Sequence, residues 1–195
     1  MKQKKITNLV SFLILLFITS TSFSFEKFQW SCSDNNCNLY AILNNGKKIL
    51  ASEGWTENYK SRTAFKHYNN DLGVAILGCG NNCSYSIFVN FKTGEKSNPL
   101  YDVLAINPAK GIVVLPDRKD KTDNTLNIIR LFNSHGKIIK IERQFYQGAD
   151  ISAEVKFLTD NKIQLNYDID EEGNSKKEIF TIKYKNLEPV DVSLD

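Results

Sequence analysis

The chain has 195 residues, a formal charge of +3, 42% hydrophobic residues, four cysteines and two histidines. Its first 24 residues carry three lysines and no acid, so the remaining 171 (195 less 24) hold 22 basic and 22 acidic side chains and are formally neutral. A neutral surface argues against nucleic acid or anionic lipid as the main partner, because those associations are driven by basic patches that neutralise phosphate; 171 residues (195 less 24) are enough for one domain with a real core.

The N-terminal stretch places Lys2, Lys4 and Lys5 before an apolar run from Leu9 to Ile18, followed by small and polar residues. That order predicts a secretory signal peptide over residues 1–24, cleaved after Ser24, with 25–195 as a single exported domain. The apolar run is short for a transmembrane helix, so no membrane insertion is expected after cleavage, an uncleaved anchor being the alternative. Cys32, Cys37, Cys79 and Cys83 all lie in the exported part, which predicts a periplasmic or secreted protein with two disulfides. Four cysteines allow three connectivities. Local pairing, Cys32 with Cys37 and Cys79 with Cys83, is the expected one, because each pair flanks a turn-prone stretch, Ser-Asp-Asn-Asn or Gly-Asn-Asn. A site of four thiolates for zinc is the alternative, but zinc knuckles favour C-x2-C spacing and the spacings here are x4 and x3. No metal and no cofactor is expected.

Beyond the leader, short runs of period-two alternation separated by Gly, Asn and Asp turns recur, and no long helical periodicity is present, so the chain is expected to be all-β. The first predicted hairpin is YAIL-NNGK-KILA at 40–51. The segment SEGWTENYKSR, 52–62, reads as a loop with Trp55 and Tyr59 among polar residues, either as interface anchors or with Trp55 tucked under the sheet. In AFKHY, alternation puts Phe65 and His67 on one face, and His67 is expected as a partly buried structural residue rather than a general base, which needs an oriented nucleophile. SIFVNF-KTGE at 86–95 is the next hairpin. The run DRKDKTDNT, 117–125, reads as a charged loop joining two strands, with Asp120 as its candidate contact. The hairpin IIRLF-NSHG-KIIKI at 128–141 follows, with His135 in its turn, and EVKFL-TDNK-IQLNY at 154–167 after it. DIDEEGNSKKEI begins like a calcium loop at Asp168, Asp170, Glu172 and Gly173, but Ile179 stands where the bidentate carboxylate belongs, so a hairpin turn is expected.

These hairpins repeat. Stacking DNNCNLYAILNNGKK, GNNCSYSIFVNFKTGEK and TDNTLNIIRLFNSHGKI, with a two-residue deletion in the first that leaves Cys37 over Cys83, brings Gly46, Gly94 and Gly136 together at spacings of 48 and 42, with Gly173 a further 37 on. A second hairpin precedes each later copy, which makes each unit four short antiparallel strands, a period characteristic of propeller blades. LAINPAKGIVVLPDRKDKTDNTLNIIRLFNSHGKII, with Asn107, Pro108, Gly111, Asn133 and Gly136, resembles a blade of the WD-type and related bacterial β-propeller repeats, and the unit before it offers Asn90, Thr93 and Gly94. The resemblance spans residues 63–185, lacks the Gly-His and Trp-Asp dipeptides, and implies fold alone. Because residues 25–51 hold too few strands for a full blade, the expected architecture is three full propeller-like units plus a partial one. A small β-sandwich is the alternative.

The expected function is a non-catalytic, exported binding protein of the cell envelope with a protein partner, most concretely an inhibitor or immunity protein acting on a periplasmic enzyme. Trp55, Tyr59 and Asp120 are its candidate contacts. The alternative is a small-ligand or glycan-binding domain in which Trp30, Trp55 and the tyrosines stack on sugars. A third reading is a hydrolase with an unrecognised site, since motifs such as G-x-S-x-G and H-E-x-x-H are absent from the sequence.

Overall fold

The computed structural model describes residues 27–80, 83–117, 125–132, 138–143, 153–185 and 188–195. The leader over 1–24, Asp120, and the turn with Asn133, His135 and Gly136 lie outside these residues. The chain forms four antiparallel sheets in sequence order, the first of three strands and the others of four. The first contains β1 (Phe28–Ser33), β2 (Asn36–Ile42) and β3 (Lys48–Trp55); a 3-10 helix (Glu57–Arg62) leads to the second, β4 (Thr63–His67), β5 (Leu72–Gly80), β6 (Cys83–Asn90) and β7 (Leu100–Tyr101). The third is β8 (Ala105–Asn107), β9 (Ile112–Pro116), β10 (Thr125–Arg130) and β11 (Ile139–Glu142); the fourth is β12 (Ala153–Phe157), β13 (Lys162–Asp168), β14 (Ser175–Lys185) and β15 (Glu188–Leu194). Every sheet is a plain meander, so the architecture is the expected one: three full units and a partial unit at the start.

Three apolar clusters show how the sheets stack. Leu39 and Ala41 of the first sheet pack with Ala75, Leu77, Ile87 and Val89 of the second. The opposite face of the second sheet, Val74 and Phe88, meets Val113 of the third. Ile112, Val114, Leu126 and Ile128 of the third meet Val155, Ile163, Leu165 and Phe180 of the fourth. The two middle sheets are therefore covered on both faces, which explains why β5 and β9 read as unbroken apolar runs, LGVAIL and IVVL, where the outer strands alternate. The fourth sheet ends the row, with Glu154, Lys156 and Lys177 exposed on its far side. Among the described residues no apolar cluster joins the fourth sheet back to the first.

The tight turns follow from their residues. Asn90 accepts backbone N–H bonds from Lys92 and Thr93 at 3.0 and 3.1 Å, and Gly94 follows at a φ of +82°, a conformation that costs other residues a steric clash. Asp170 does the same work in the former calcium-like segment, taking the Asn174 backbone N–H at 2.9 Å and its side-chain amide at 2.7 Å, so Asp168–Ser175 closes a hairpin between β13 and β14.

One detail of the repeat is corrected. Stacking the sequences superposes Cys37 on Cys83, but the hairpin turns match through the bonds Leu43 N–H to Lys47 C=O and Asn90 N–H to Glu95 C=O, which puts the two cysteines one residue out of step. A one-residue slip changes the face. Cys37 is buried between the sheets and Cys83 is half-buried at the start of β6.

Candidate binding surface

The two disulfides pair locally, Cys32 with Cys37 and Cys79 with Cys83. Each staples the hairpin at the same end of its sheet, β1 to β2 and β5 to β6. Cys32 and Cys37 face each other directly in the ladder with Cα atoms 4.0 Å apart, the close spacing of a pair that does not exchange backbone hydrogen bonds. With all four thiols consumed, they are not available as metal ligands.

Trp55 is brought to this end by a bulge. The stretch 52–55 continues β3 instead of opening a loop, because Gly54 at a φ of +80° absorbs the register shift and lets Trp55 pair opposite Cys37. Its indole N–H donates to the Ser52 hydroxyl at 2.8 Å. The Trp55 ring lies 4.7 Å from that of Tyr59, on the 3-10 helix, and 5.7 Å edge-on from Tyr85 of β6; Tyr85 lies 4.4 Å from Tyr101 of β7. Trp55, Tyr59 and Tyr85 are partly buried against the core between the first two sheets, while Tyr101 is 43% exposed. The aromatic pair expected at 55 and 59 is thus the inner half of a row of four rings that runs from the first sheet across the second. Tyr85 and Tyr101 carried no signal in the sequence, since they join the row only through the cross-strand pair Tyr85–Tyr101 and the packing of one sheet on another.

His67 departs from expectation. Alternation does place it beside Phe65, 6.2 Å from the ring of Phe28 and 5.6 Å from that of Phe91, yet it is exposed rather than partly buried. Among the rings of the described residues only those of Phe28 and Phe91 approach it.

The strongest electrostatic feature lies elsewhere, between the third and fourth sheets. Glu178 is a buried carboxylate that accepts from Arg143 Nε at 2.7 Å, Lys176 Nζ at 2.9 Å and the Tyr167 hydroxyl at 3.1 Å. Burial alone would push its carboxyl up, but the donors from Lys176, Arg143 and Tyr167 together hold it below the ordinary carboxylate range. Tyr167 is pushed up, first by burial and then by donating to Glu178. Arg143, whose guanidinium also lies 4.9 Å from the centre of the Phe180 ring, follows β11 and so ties the third sheet to the fourth. A carboxylate saturated by three donors is a fastener rather than a base. At the opposite end from the disulfides, Asp71, Glu95, Lys110 and Arg130 line an open groove between the second and third sheets with charges of both signs.

Comparison of the chain with protein-family models, curated proteins and solved structures finds no match. Two disulfides, and no helix among the described residues long and apolar enough to cross a membrane, are compatible with an extracytoplasmic protein.

Proposed function

We propose that this chain is an exported, non-catalytic binding protein that engages a protein partner through the aromatic row at the stapled end of its first two sheets, and that it acts as an inhibitor or immunity protein of a periplasmic or secreted enzyme. The observation that carries the reading is the row Tyr59–Trp55–Tyr85–Tyr101. Aromatic side chains with apolar faces and polar tips anchor interfaces at low entropic cost, and these are braced from behind by core packing and from the side by two disulfides. A sugar platform is the weaker reading, because successive rings stand 56° to 63° from coplanar and only Tyr101 is widely open. Export by the leader over 1–24 and a contact at Asp120 belong to the same proposal.

The test is capture from periplasmic extract with the oxidised mature protein, identification of the captured protein, and assay of that protein's activity with and without the chain. The expected result is one stoichiometric enzyme whose activity falls on binding, with Tyr101→Ala and Trp55→Ala each weakening binding by about 2 kcal/mol, the scale of an interface hot spot. Binding to cell-wall sugar without any protein partner would overturn the proposal in favour of the glycan reading.

A further inference from the structure

Among the described residues the first sheet lacks a strand that each of the other three possesses, and the backbone identifies which one. Ile42 N–H donates to Lys27 C=O at 2.7 Å, so in the β1–β2 ladder the residues bonded to β2 are Lys27, Gln29 and Ser31. The N–H and C=O groups of Phe28, Trp30 and Cys32 therefore point the other way, to an edge where no strand of the described residues lies. In the second sheet Tyr68 N–H donates to Leu72 C=O at 2.9 Å, which makes Val74 and Ile76 the residues of β5 that bond to β4. The matched hairpin turns equate Phe28 with Val74 and Trp30 with Ile76. Among the described residues the first sheet thus lacks the counterpart of β4, β8 and β12.

The consequence is visible on the neighbouring sheet. Phe65 of β4 and Val155 of β12 occupy the same register position, each three residues before the residue whose N–H closes its hairpin, Tyr68 to Leu72 and Leu158 to Lys162. Val155 is 7% exposed, within the cluster between the third and fourth sheets against which Leu104 and Ala105 pack. Phe65 is 41% exposed and His67 beside it is open, with Phe28 stacked on Phe65 at 5.1 Å. Trp30, on the strand with the open edge, also keeps a buried indole N–H with no hydrogen-bond partner among the described residues.

We propose that the free edge of β1 takes up an extended segment of the protein partner as the fourth strand of the first sheet, antiparallel to β1, covering Phe65 and His67. The inference rests on the protein-binding reading above and specifies how the partner is held. The segment is a single strand of about five residues, the usual strand length, bonded to the backbones of Phe28, Trp30 and Cys32. Backbone pairing supplies affinity, and alternate side chains supply specificity. The molecule's own β4 defines those side chains: it has Ala64 opposite Ile76, the counterpart of Trp30, so a small apolar residue fits opposite Trp30. The inner strand β8 sits against β12 of the neighbouring sheet, so a single strand added beside β1 would complete the same arrangement against β4.

The test grafts a copy of residues 62–71, strand β4 with its turn, directly in front of Glu26, the position that corresponds to Leu72. No residue from Glu26 onward is altered. In the native oxidised protein the amides of Phe28, Trp30 and Cys32 should exchange with solvent rapidly while those of Gln29 and Ser31 are protected; in the graft all five should be protected, with the three edge amides slowed at least about tenfold. Capture of the partner should fall at least about tenfold in the graft, since the intramolecular strand competes at millimolar effective concentration. Edge amides already protected in the native protein, edge amides unchanged in the graft, protection that appears only on self-association, or undiminished capture by a graft with protected amides each overturn the proposal while leaving a protein-binding function intact. Absence of any captured protein with the native chain overturns the binding reading itself, and the edge proposal with it.

Discussion

Replacing Glu178 by Gln keeps the side chain's shape and one acceptor but removes the charge that Arg143 Nε and Lys176 Nζ approach to 2.7 and 2.9 Å. Deleting one member of a fully buried ion pair costs about 3–5 kcal/mol, because the remaining charge is stranded. Here the Arg143 and Lys176 side chains are 29% and 54% exposed, so both can turn to water. The expected loss is accordingly about 2 kcal/mol at pH 7, below the buried range and above that of a surface pair. In urea unfolding this appears as a lower midpoint at unchanged slope, and in thermal unfolding as a drop of roughly 4–8 °C for a domain of this size. The pH dependence carries the sharper test. The Glu178 carboxyl is held below its ordinary value of 4.5, so its contribution is fully present above the unfolded value and is lost as pH falls through the folded one. The native protein should therefore lose stability faster than Glu178→Gln below about pH 4.5, and the gap between them should close in acid. A gap under about 0.5 kcal/mol at pH 7, or one that stays constant between neutral and acid pH, would refute the assignment of Glu178 as an ionised fastener between the third and fourth sheets.

Gly73→Ala is expected to destabilise by about 1–3 kcal/mol, since its Cβ would come within 2.6 and 2.7 Å of the buried Phe91 ring, a clash of the overpacking kind. Gly78→Ala, where the nearest atom is 3.5 Å away, serves as the control and should stay within about 0.5 kcal/mol of the parent in the same denaturation experiment. Removing the Cys32–Cys37 bridge by double substitution to serine should cost about 2 kcal/mol, the chain-entropy value for so short a loop, and non-reducing peptide mapping of the parent should recover no peptide that joins residues 32 or 37 to 79 or 83. Trp55→Ala should lower stability as well as binding, by about 1–2 kcal/mol, because a partly buried ring loses part of the ~3–5 kcal/mol that a core aromatic contributes.

The strands and the disulfides were legible because both depend on local rules. Period-two alternation records which side chains a sheet must bury, and cysteines four or five residues apart around an Asn-rich turn have few partners within reach. The count of units, three complete and one partial, followed from the repeat of two hairpins per Gly turn. Other features were not legible for equally physical reasons. Trp55 reads as loop from SEGW, since no propensity announces that Gly54 will absorb a bulge and return the strand to its partner. Stacking Cys37 on Cys83 fails because identical letters in a repeat do not fix parity, and the turn hydrogen bonds do.

The amino-acid sequence by itself determined the all-β class, the meander, the local bridges and the turns, all set by interactions among residues close along the chain. Tertiary structure alone decided which faces meet. It put Tyr85 and Tyr101 into a row with Trp55, drew Arg143 across to Glu178, and left Phe65 uncovered where Val155, its counterpart, is buried. Those differences arise between sheets, where burial depends on whether a neighbouring strand is present and not on the residue that waits for it.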